Sequence, residues 1–501
     1  MDMHVAAPAP LVSNPALRLT LFLFLMAALF MATLDHQIVA TALPTIVAEF
    51  GEMERFGWVG SAYLLATCTV MPLYGKLGDL FGRKYVMLVA VSIFTLGSVA
   101  CGLAVSMNTL IAARVLQGLG GGGIMVSIFS VTADLFEPRE RARYQSYSSL
   151  VLMASGAIGP VLGGTMSDLF GWRSIFLINI PVGAVVLAGL IFFLPYRRPT
   201  RQPKIDYAGA LLLAGAVTAL VLLGDSTELF GALVSPGGLA VLAGGLFCAV
   251  AWVLVERRAA EPVVPLSLFS NPTVGLMLVI SLASGAVGIG MVNYFALFLQ
   301  TTTGLSPSTA GLFFIMLTGG IVTGSLAAGR LISLSGRYKP FAVTSASLTM
   351  LALLSFTQIH PGTPLVLIAA AMALHGIGIG FGQQVPLIGV QNSAARGDMG
   401  AATGAVTLSR MAGASIAISI YGATIAGGLS RGRTAIPGVE DIEILTPTML
   451  AALPEAARQL VAEAYAGAFQ PLFLIAAGIT LVTLIAALSL KPVRLPPKAT
   501  G

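Results

Sequence analysis

Asp35 is the first residue in this chain whose type and setting could do chemistry. It sits in Leu34-Asp-His-Gln-Ile-Val-Ala-Thr-Ala-Leu-Pro44, late in a long apolar run. An ionised carboxylate in hydrocarbon costs on the order of 3 kcal/mol on insertion scales, so an acid at that depth calls for a functional reason. A carboxyl group that binds and releases a proton supplies one; an acid hydrogen-bonded for packing, or one standing in a wet vestibule, is the alternative. Arg114 opens Arg114-Val-Leu-Gln-Gly-Leu-Gly-Gly-Gly-Gly123. A guanidinium does not shed its proton, so at depth Arg114 must face a cavity or a partner. Gln117, three residues on, shares its helical face, and the glycines beyond let another backbone approach closely. The second half places His375, Gln383, Gln384 and Gln391 on one apolar run and Arg410 on the next. His375 reads as a packing residue, and Arg410 as a fixed positive charge in or near a central cavity.

A different chemistry belongs to the polar island Gly75-Lys-Leu-Gly-Asp-Leu-Phe-Gly-Arg-Lys84, in which Gly75 and Gly82 hinge a turn carrying Asp79 and Arg83. A weaker copy recurs at Gly329-Arg-Leu-Ile-Ser-Leu-Ser-Gly336-Arg337, with Ser333 where Asp79 stood. Met372-Ala-Leu-His-Gly-Ile-Gly378 likewise aligns with the stretch from Arg114 to Gly120. The chain therefore reads as two like-oriented halves, each with a charged turn that could gate a rocking motion. Between these motifs, Gly156, Gly159, Pro160, Gly163 and Gly164 fall at helical spacings that make a smooth, kinkable face.

The elements that must position these residues are membrane helices. Hydrophobic residues make up 56% of the 501 and charged ones 10%, a balance that places the chain in a bilayer. Apolar runs long enough to cross fall near 17–39, 56–76, 86–105, 109–134, 144–168 and 174–195. A basic linker with Arg197, Arg198, Arg201 and Lys204 leads to two more near 207–224 and 236–255. Six follow near 273–299, 308–332, 340–358, 364–391, 399–428 and 467–489. The expected fold is all-α, two six-helix bundles (17–195 and 272–490) joined by a linker with two additional spans (196–256). Threading fourteen spans with both termini inside leaves Arg55, Arg173, Arg431, Arg433 and Arg458 outside and puts nearly all the remaining basic residues inside. The outer segment 430–466 carries Leu450, Leu453, Ala457 and Val461 at helical spacing, which predicts an amphipathic helix along the interface. No basic n-region or cleavage site precedes the first run, so it is expected to stay as a span.

Other classes find little support. The basic residues lie in short clusters between spans, the pattern of membrane orientation and not of nucleic-acid binding. Cys68, Cys101 and Cys248 have no metal-like spacing. Gly118, Gly120 and Gly123 match a dinucleotide fingerprint in form only, since no strand precedes them. No zinc-protease, nucleotide-loop or nucleophile-elbow motif occurs, so neither an enzyme nor a nucleotide-driven pump is expected.

Together these stretches resemble the major facilitator superfamily, and within it the fourteen-span drug:proton antiporters. Residues 75–84 are similar to the superfamily's signature loop between spans two and three, and Arg114 with Gly118 to its fourth-span motif. Residues 156–164 resemble the fifth-span motif associated with antiport. The Leu34–Asp35 and Ala42-Leu43-Pro44 positions resemble the first-span motif of fourteen-span exporters, as does the run from Gly171-Trp-Arg through Asn179, Pro181 and Gly183. Gln37 departs from the threonine usual there, and Ser333 from the acid. The resemblance implies alternating access in the plasma membrane by a monomer that exports a lipophilic small molecule in exchange for protons, with no cofactor. Asp35 and Arg114 would couple the proton. Asp79, Arg83, Arg139 and Arg141 would latch the inner side. A proton-coupled importer or facilitator of the same fold is the alternative. Gln37, Trp58, Tyr63, Gln117, Asn293, Tyr294, Phe298, Phe313, Gln384 and Arg410 are candidates to line the substrate pocket. With Arg114 and Arg410 adding positive charge, the expected substrates are neutral or singly positive.

Overall fold

In hydrocarbon every backbone N–H and C=O must find its partner within the chain, which leaves helices as the structure for these runs. The computed structural model describes residues 11–50, 56–197, 204–224, 235–305, 307–431 and 454–495. Arg55, Arg198, Arg201, Arg433, Leu450 and Leu453 lie outside them, as do the side chains of Asn293 and Arg431.

The first half comprises α1 (Pro15–Phe50), α2 (Phe56–Phe81), α3 (Arg83–Gly102), α4 (Met107–Leu135), α5 (Pro138–Ser146), α6 (Ser148–Phe170), α7 (Ser174–Leu177) and α8 (Asn179–Phe193). The linker pair is α9 (Tyr207–Gly224) and α10 (Pro236–Glu256). The short α11 (Ser267–Ser270) precedes the second half: α12 (Pro272–Ser284), α13 (Val292–Thr302), α14 (Pro307–Ser335), α15 (Lys339–Phe356), α16 (Leu365–Gly382), α17 (Val385–Ser393), α18 (Met399–Arg431) and α19 (Glu455–Ser489). Twelve stretches among the described residues are long and apolar enough to cross a membrane. The expected fourteen runs also counted α2 and the shorter α9, which fall outside these twelve.

Local chemistry sets the helix ends. Asn14 accepts from the Ala16 amide at 2.9 Å to start α1. Ser106 and Thr109 form a reciprocal capping box at the start of α4. Within each half one helix is clasped between two others by glycine. A Cβ at Gly118 would strike the Tyr63 carbonyl of α2, and one at Gly120 the Phe94 amide of α3. In the second half Gly376 meets the Leu317 carbonyl of α14 and Gly378 the Thr349 backbone of α15. The repeat read from Arg114 to Gly120 is thus a repeat of packing, with α4 and α16 in corresponding places.

The structure corrects two expectations. The run 364–391 is not one helix: it breaks at Gln383 and Gln384, between α16 and α17, which frees both amides for partners outside their own helix. No separate interfacial helix accounts for the outer residues that are described. From Glu455 onward they belong to α19, and Ala457 and Val461 are buried in the second half's core beside Phe469. Their helical spacing was read correctly, but the face it makes meets protein and not the membrane surface.

The two halves meet at the end of the molecule that carries the basic loops. There α2 crosses α18, where a Cβ on Gly75 would collide with the Gly400 carbonyl, and α14 crosses α5. At the second crossing a Cβ on Gly329 would lie 2.5 Å from the Ser146 hydroxyl and 2.8 Å from the Ala142 carbonyl. The linker helix α9 lies against both halves, through Thr218 to Thr69 of α2 at 3.2 Å and through its Leu220 and Leu223 carbonyls to Ser415 and Ser419 of α18. Outside it, α10 buries only Gly238 and Glu256. Because the α14–α5 crossing has no room for a side chain, Gly329→Leu should force this seam apart. In that background a cysteine at Ser149 should react with a maleimide added from the basic end several-fold faster; an unchanged rate would mean that the seam absorbs the leucine.

Candidate functional site

Four helices converge on Asp35. Its Oδ2 accepts from Arg114 Nη1 at 2.6 Å, and its Oδ1 accepts from Gln117 Nε2 and Asn179 Nδ2, both at 2.8 Å. Arg114 also donates from Nη1 to Gln117 Oε1 at 2.6 Å and from Nε to the Val59 carbonyl at 3.1 Å. Its guanidinium carbon lies 4.3 Å from the centre of the Tyr63 ring, a cation–π contact. Ser98 of α3 accepts from Gln117 at 2.7 Å and from Asn179 at 3.2 Å, and donates to the Phe94 carbonyl. Asp35, Arg114, Gln117, Ser98 and Asn179 are all buried.

The inventory has a direction. Every described partner of the Asp35 carboxylate is a donor, so the cluster as built accommodates the ionised acid and offers no acceptor for a carboxylic O–H. A proton arriving at Asp35 would displace one of those donors, Arg114 foremost. Ser98 and Asn179 were not singled out from the sequence as members of this cluster. Asn179 had a signal, a polar amide between isoleucines in an apolar run, whereas nothing around Ser98 separates it from other membrane serines.

A second site forms where the halves meet. Asp79 accepts from Arg83 Nη2, four residues on, and also from the backbone amides of Gly400 at 2.9 Å and Ala401 at 3.0 Å. Those amides open α18, so a carboxylate of the first half caps a helix of the second and meets the positive end of its dipole. Arg83 also reaches Asp134 at the end of α4, at 3.5 Å. Around this cap, Gln391 of α17 receives Gln145 at 3.1 Å and Arg141 at 3.4 Å, while Arg139 donates to the Leu495 carbonyl at 3.1 Å. Gln384 donates to Ser148, and Ser149 donates to Gln383 Oε1 at 2.6 Å with its oxygen 2.8 Å from the Ser325 hydroxyl. In the second loop Gly336 takes φ 66°, a left-handed turn that favours glycine, and packs against the Arg139 guanidinium. Gly82 plays the same part in the first loop at φ 92°.

The glycine face of α6 divides. Ser155, Gly159, Gly163 and Ser167 form its buried stripe, with Gly159 against the Gln37 side chain of α1. Gly156 and Gly164 face open space, and Pro160 is exposed. At the end opposite the basic loops, Glu49 ties α1 to the start of α7 through Arg173 at 2.8 Å and Trp172 at 2.6 Å. The Arg173 bond, helped by the Trp172 bond, holds the Glu49 carboxyl below its ordinary value.

Several proposed pocket residues stand elsewhere. Tyr63 is buried beneath the Arg114 guanidinium, and Gln117 is buried among the donors of the Asp35 cluster. Phe298 is buried among Phe356, Phe469 and Phe473, with Phe313 packed against the same core. His375 sits edge-on to Phe295 and Phe356, as a packing residue does. Gln384 belongs to the seam. Tyr294 donates to the Ile418 carbonyl at 2.7 Å. Trp58 is exposed and Gln37 and Arg410 are half-buried. Long aromatic side chains fill cores as readily as pockets, and sequence spacing does not separate the two.

A helical bundle with a buried ion pair in one half and a capped seam between two pseudo-repeated halves defines a multi-pass membrane transporter. The chain belongs to the Major Facilitator Superfamily, whose family model matches residues 25–418. It is 34% identical to an uncharacterised transporter of that superfamily from Mycobacterium tuberculosis, across 98% of this chain and 72% of the relative. It is 30% identical to multidrug resistance protein 3 of Bacillus subtilis, across 79% of this chain and 78% of the relative. Its fold is similar to that of the proton:xylose symporter XylE, with a TM-score of 0.61 at 14% identity, covering 95% of each chain.

Removing one member of a buried pair leaves an uncompensated charge, at a cost of about 3–5 kcal/mol. Arg114→Gln should therefore lower the thermal unfolding midpoint of the detergent-purified protein clearly, and adding Asp35→Asn should restore most of the loss. Equal or additive losses in the single and double variants would show that the charge pair is not the source.

Proposed function

We propose that this protein is a proton-coupled exporter of lipophilic small molecules in the plasma membrane, with the basic loops and both termini on the cytoplasmic side. The observation that carries the reading is Asp35, a buried carboxylate held by Arg114, Gln117 and Asn179. The names of the multidrug relatives support export over import. Arginine and lysine gather on the retained side of short loops, which supports the orientation. The seam at the basic end is joined in this structure, through the cap of Asp79 on α18 and the close crossing of α14 and α5.

The cycle follows from which groups hold which helices. Ionised Asp35 draws α1, α4 and α8 together. A proton from outside neutralises it, releases Arg114 from its charge partner and loosens α4 against its neighbours. At its far end α4 carries Asp134, which shares Arg83 with Asp79, the cap on α18. A shift of α4 therefore bears on the cytoplasmic latch, and inward opening lets the proton leave and the substrate enter. Each proton contributes roughly 2.3 kcal/mol per 100 mV and about 1.4 kcal/mol per unit of pH gradient. Either alone supports at least about tenfold accumulation outside.

Asp35→Asn should abolish pH-driven substrate movement in proteoliposomes while leaving an inserted, monodisperse protein; uphill transport by that variant would assign coupling to another residue. Asp79→Ala should act differently, because it removes the cap of α18 together with its charge and touches no pocket. Its turnover should fall by about tenfold or more with substrate affinity within about threefold of the parent, as loss of a cap worth 1–2 kcal/mol implies. A large fall in affinity at unchanged turnover would count against the latch.

A further inference from the structure

Among the described residues two arginines lie at depth, and one of them is paired with a carboxylate. Arg114 has Asp35. Arg410, about a third of the way along α18, has no carboxylate partner among the described residues. Its Nη2 donates to the Gln383 carbonyl at 2.7 Å, and its Nε is buried without a partner. The side chain is half-buried, and its root is fixed: Gly285 lies against the Arg410 carbonyl and Gly413 against that of Leu282. It stands on the seam, since the Gln383 side chain accepts from Ser149 of the first half at 2.6 Å. Beside it the Gln384 Oε1 is also buried and unpartnered.

A guanidinium keeps its proton under all working conditions. While the cleft is open, water can hydrate it. When the halves close over a substrate that water leaves, and a lone charge in a dry cavity is strongly unfavourable unless an opposite charge arrives with the substrate. We propose that Arg410 is an anion site for substrate: the exported molecule carries one carboxylate, sulfonate or phenolate on its lipophilic frame, and that group docks on the guanidinium beside Gln383. The planar fork of donors suits such a group, and the charge-assisted bonds it makes are the strong ones. The expectation of a neutral or singly positive substrate left Asp35 available to the substrate's charge; Asp35 is instead committed to Arg114, and Arg410 is the charge left without a counterpart. The inference rests on the export reading for the direction of movement, and on Arg410 alone for the charge.

Three probes on one frame test it: 1-pyrenebutyrate, its methyl ester, and 4-(1-pyrenyl)butyltrimethylammonium, bound to the purified full chain by equilibrium dialysis. The acid should bind about tenfold or more tighter than the ester, as one charge-assisted contact implies, and the ammonium weakest. Arg410→Gln should erase the preference and Arg410→Lys should keep part of it, with the monodispersity of each variant checked by size exclusion. Equal binding of acid and ester, a preference for the ammonium, no binding of any probe, or a preference that survives Arg410→Gln would each overturn the anion site. Transport in proteoliposomes under a pH gradient separates this from the export reading. A retained acid preference without proton-driven movement would sink export and leave the site standing. Proton-driven movement of the ammonium with no acid preference would do the reverse.

Discussion

A carboxylate sealed from water must be given back every hydrogen bond that water made, and the first half is arranged around doing so for Asp35. Three side chains donate to it, from two helices other than its own, and Ser98 on a third orients two of them. Those donors fix the rotation of α4 and α8 about α1. The glycines of α4 then follow of necessity, because Arg114 and Gln117 can reach Asp35 only if α4 lies backbone to backbone against α2 and α3. The ion pair and the glycine run are one design feature: close packing positions the charge pair, and the charge pair cannot be kept in loose packing.

The seam repeats that logic with weaker charges. Each half contributes a loop-proximal glycine, Gly75 or Gly329, that lets a helix cross its partner from the other half at backbone distance. The first crossing is reinforced by Asp79 at the start of α18. The second has Ser333 in that place and relies on neutral contacts and on the bond from Arg139 to the Leu495 carbonyl. A pseudo-symmetric molecule with one charged latch and one neutral one has a side that holds and a side that yields. The charged side is also the one wired through Arg83 and Asp134 to the helix bearing Arg114.

The spans, the duplication and the two charged motifs were legible in the sequence because each rests on a strong local signal. Twenty apolar residues have one structural solution in a bilayer, and an isolated Asp or Arg in such a run is conspicuous. The partners were harder. Ser98 carries no mark, and Gln117 and Tyr63, read as pocket residues, turned inward because the sequence does not say which side of a helix faces the cleft. Phe298 failed in the same way. The break at Gln383 and Gln384 had a signal that was passed over: Pro386, the second residue of α17, has no N–H for the Gly382 carbonyl and its ring crowds that carbonyl, and the freed amides then bond across the seam. Ala457 and Val461 have amphipathic spacing, but periodicity reports a face and not what covers it.

The additional helices bridge the paired halves. Helix α9 makes a hydroxyl-to-hydroxyl contact with α2 and hydroxyl-to-carbonyl contacts with α18. These are weaker than the capped contact of Asp79 and can be exchanged as the surfaces slide. Past α10, where the chain has returned to the basic end, the hold is stronger: Lys76 of α2 is bonded to Glu261 at 2.7 Å, its own side chain nearly excluded from solvent. A strap pinned beside the charged latch and only lightly held along its length can follow the rocking of either half while keeping lipid out of the seam. That division of labour also accounts for α10, which buries little and serves to return the chain to the basic end, where the second half must begin.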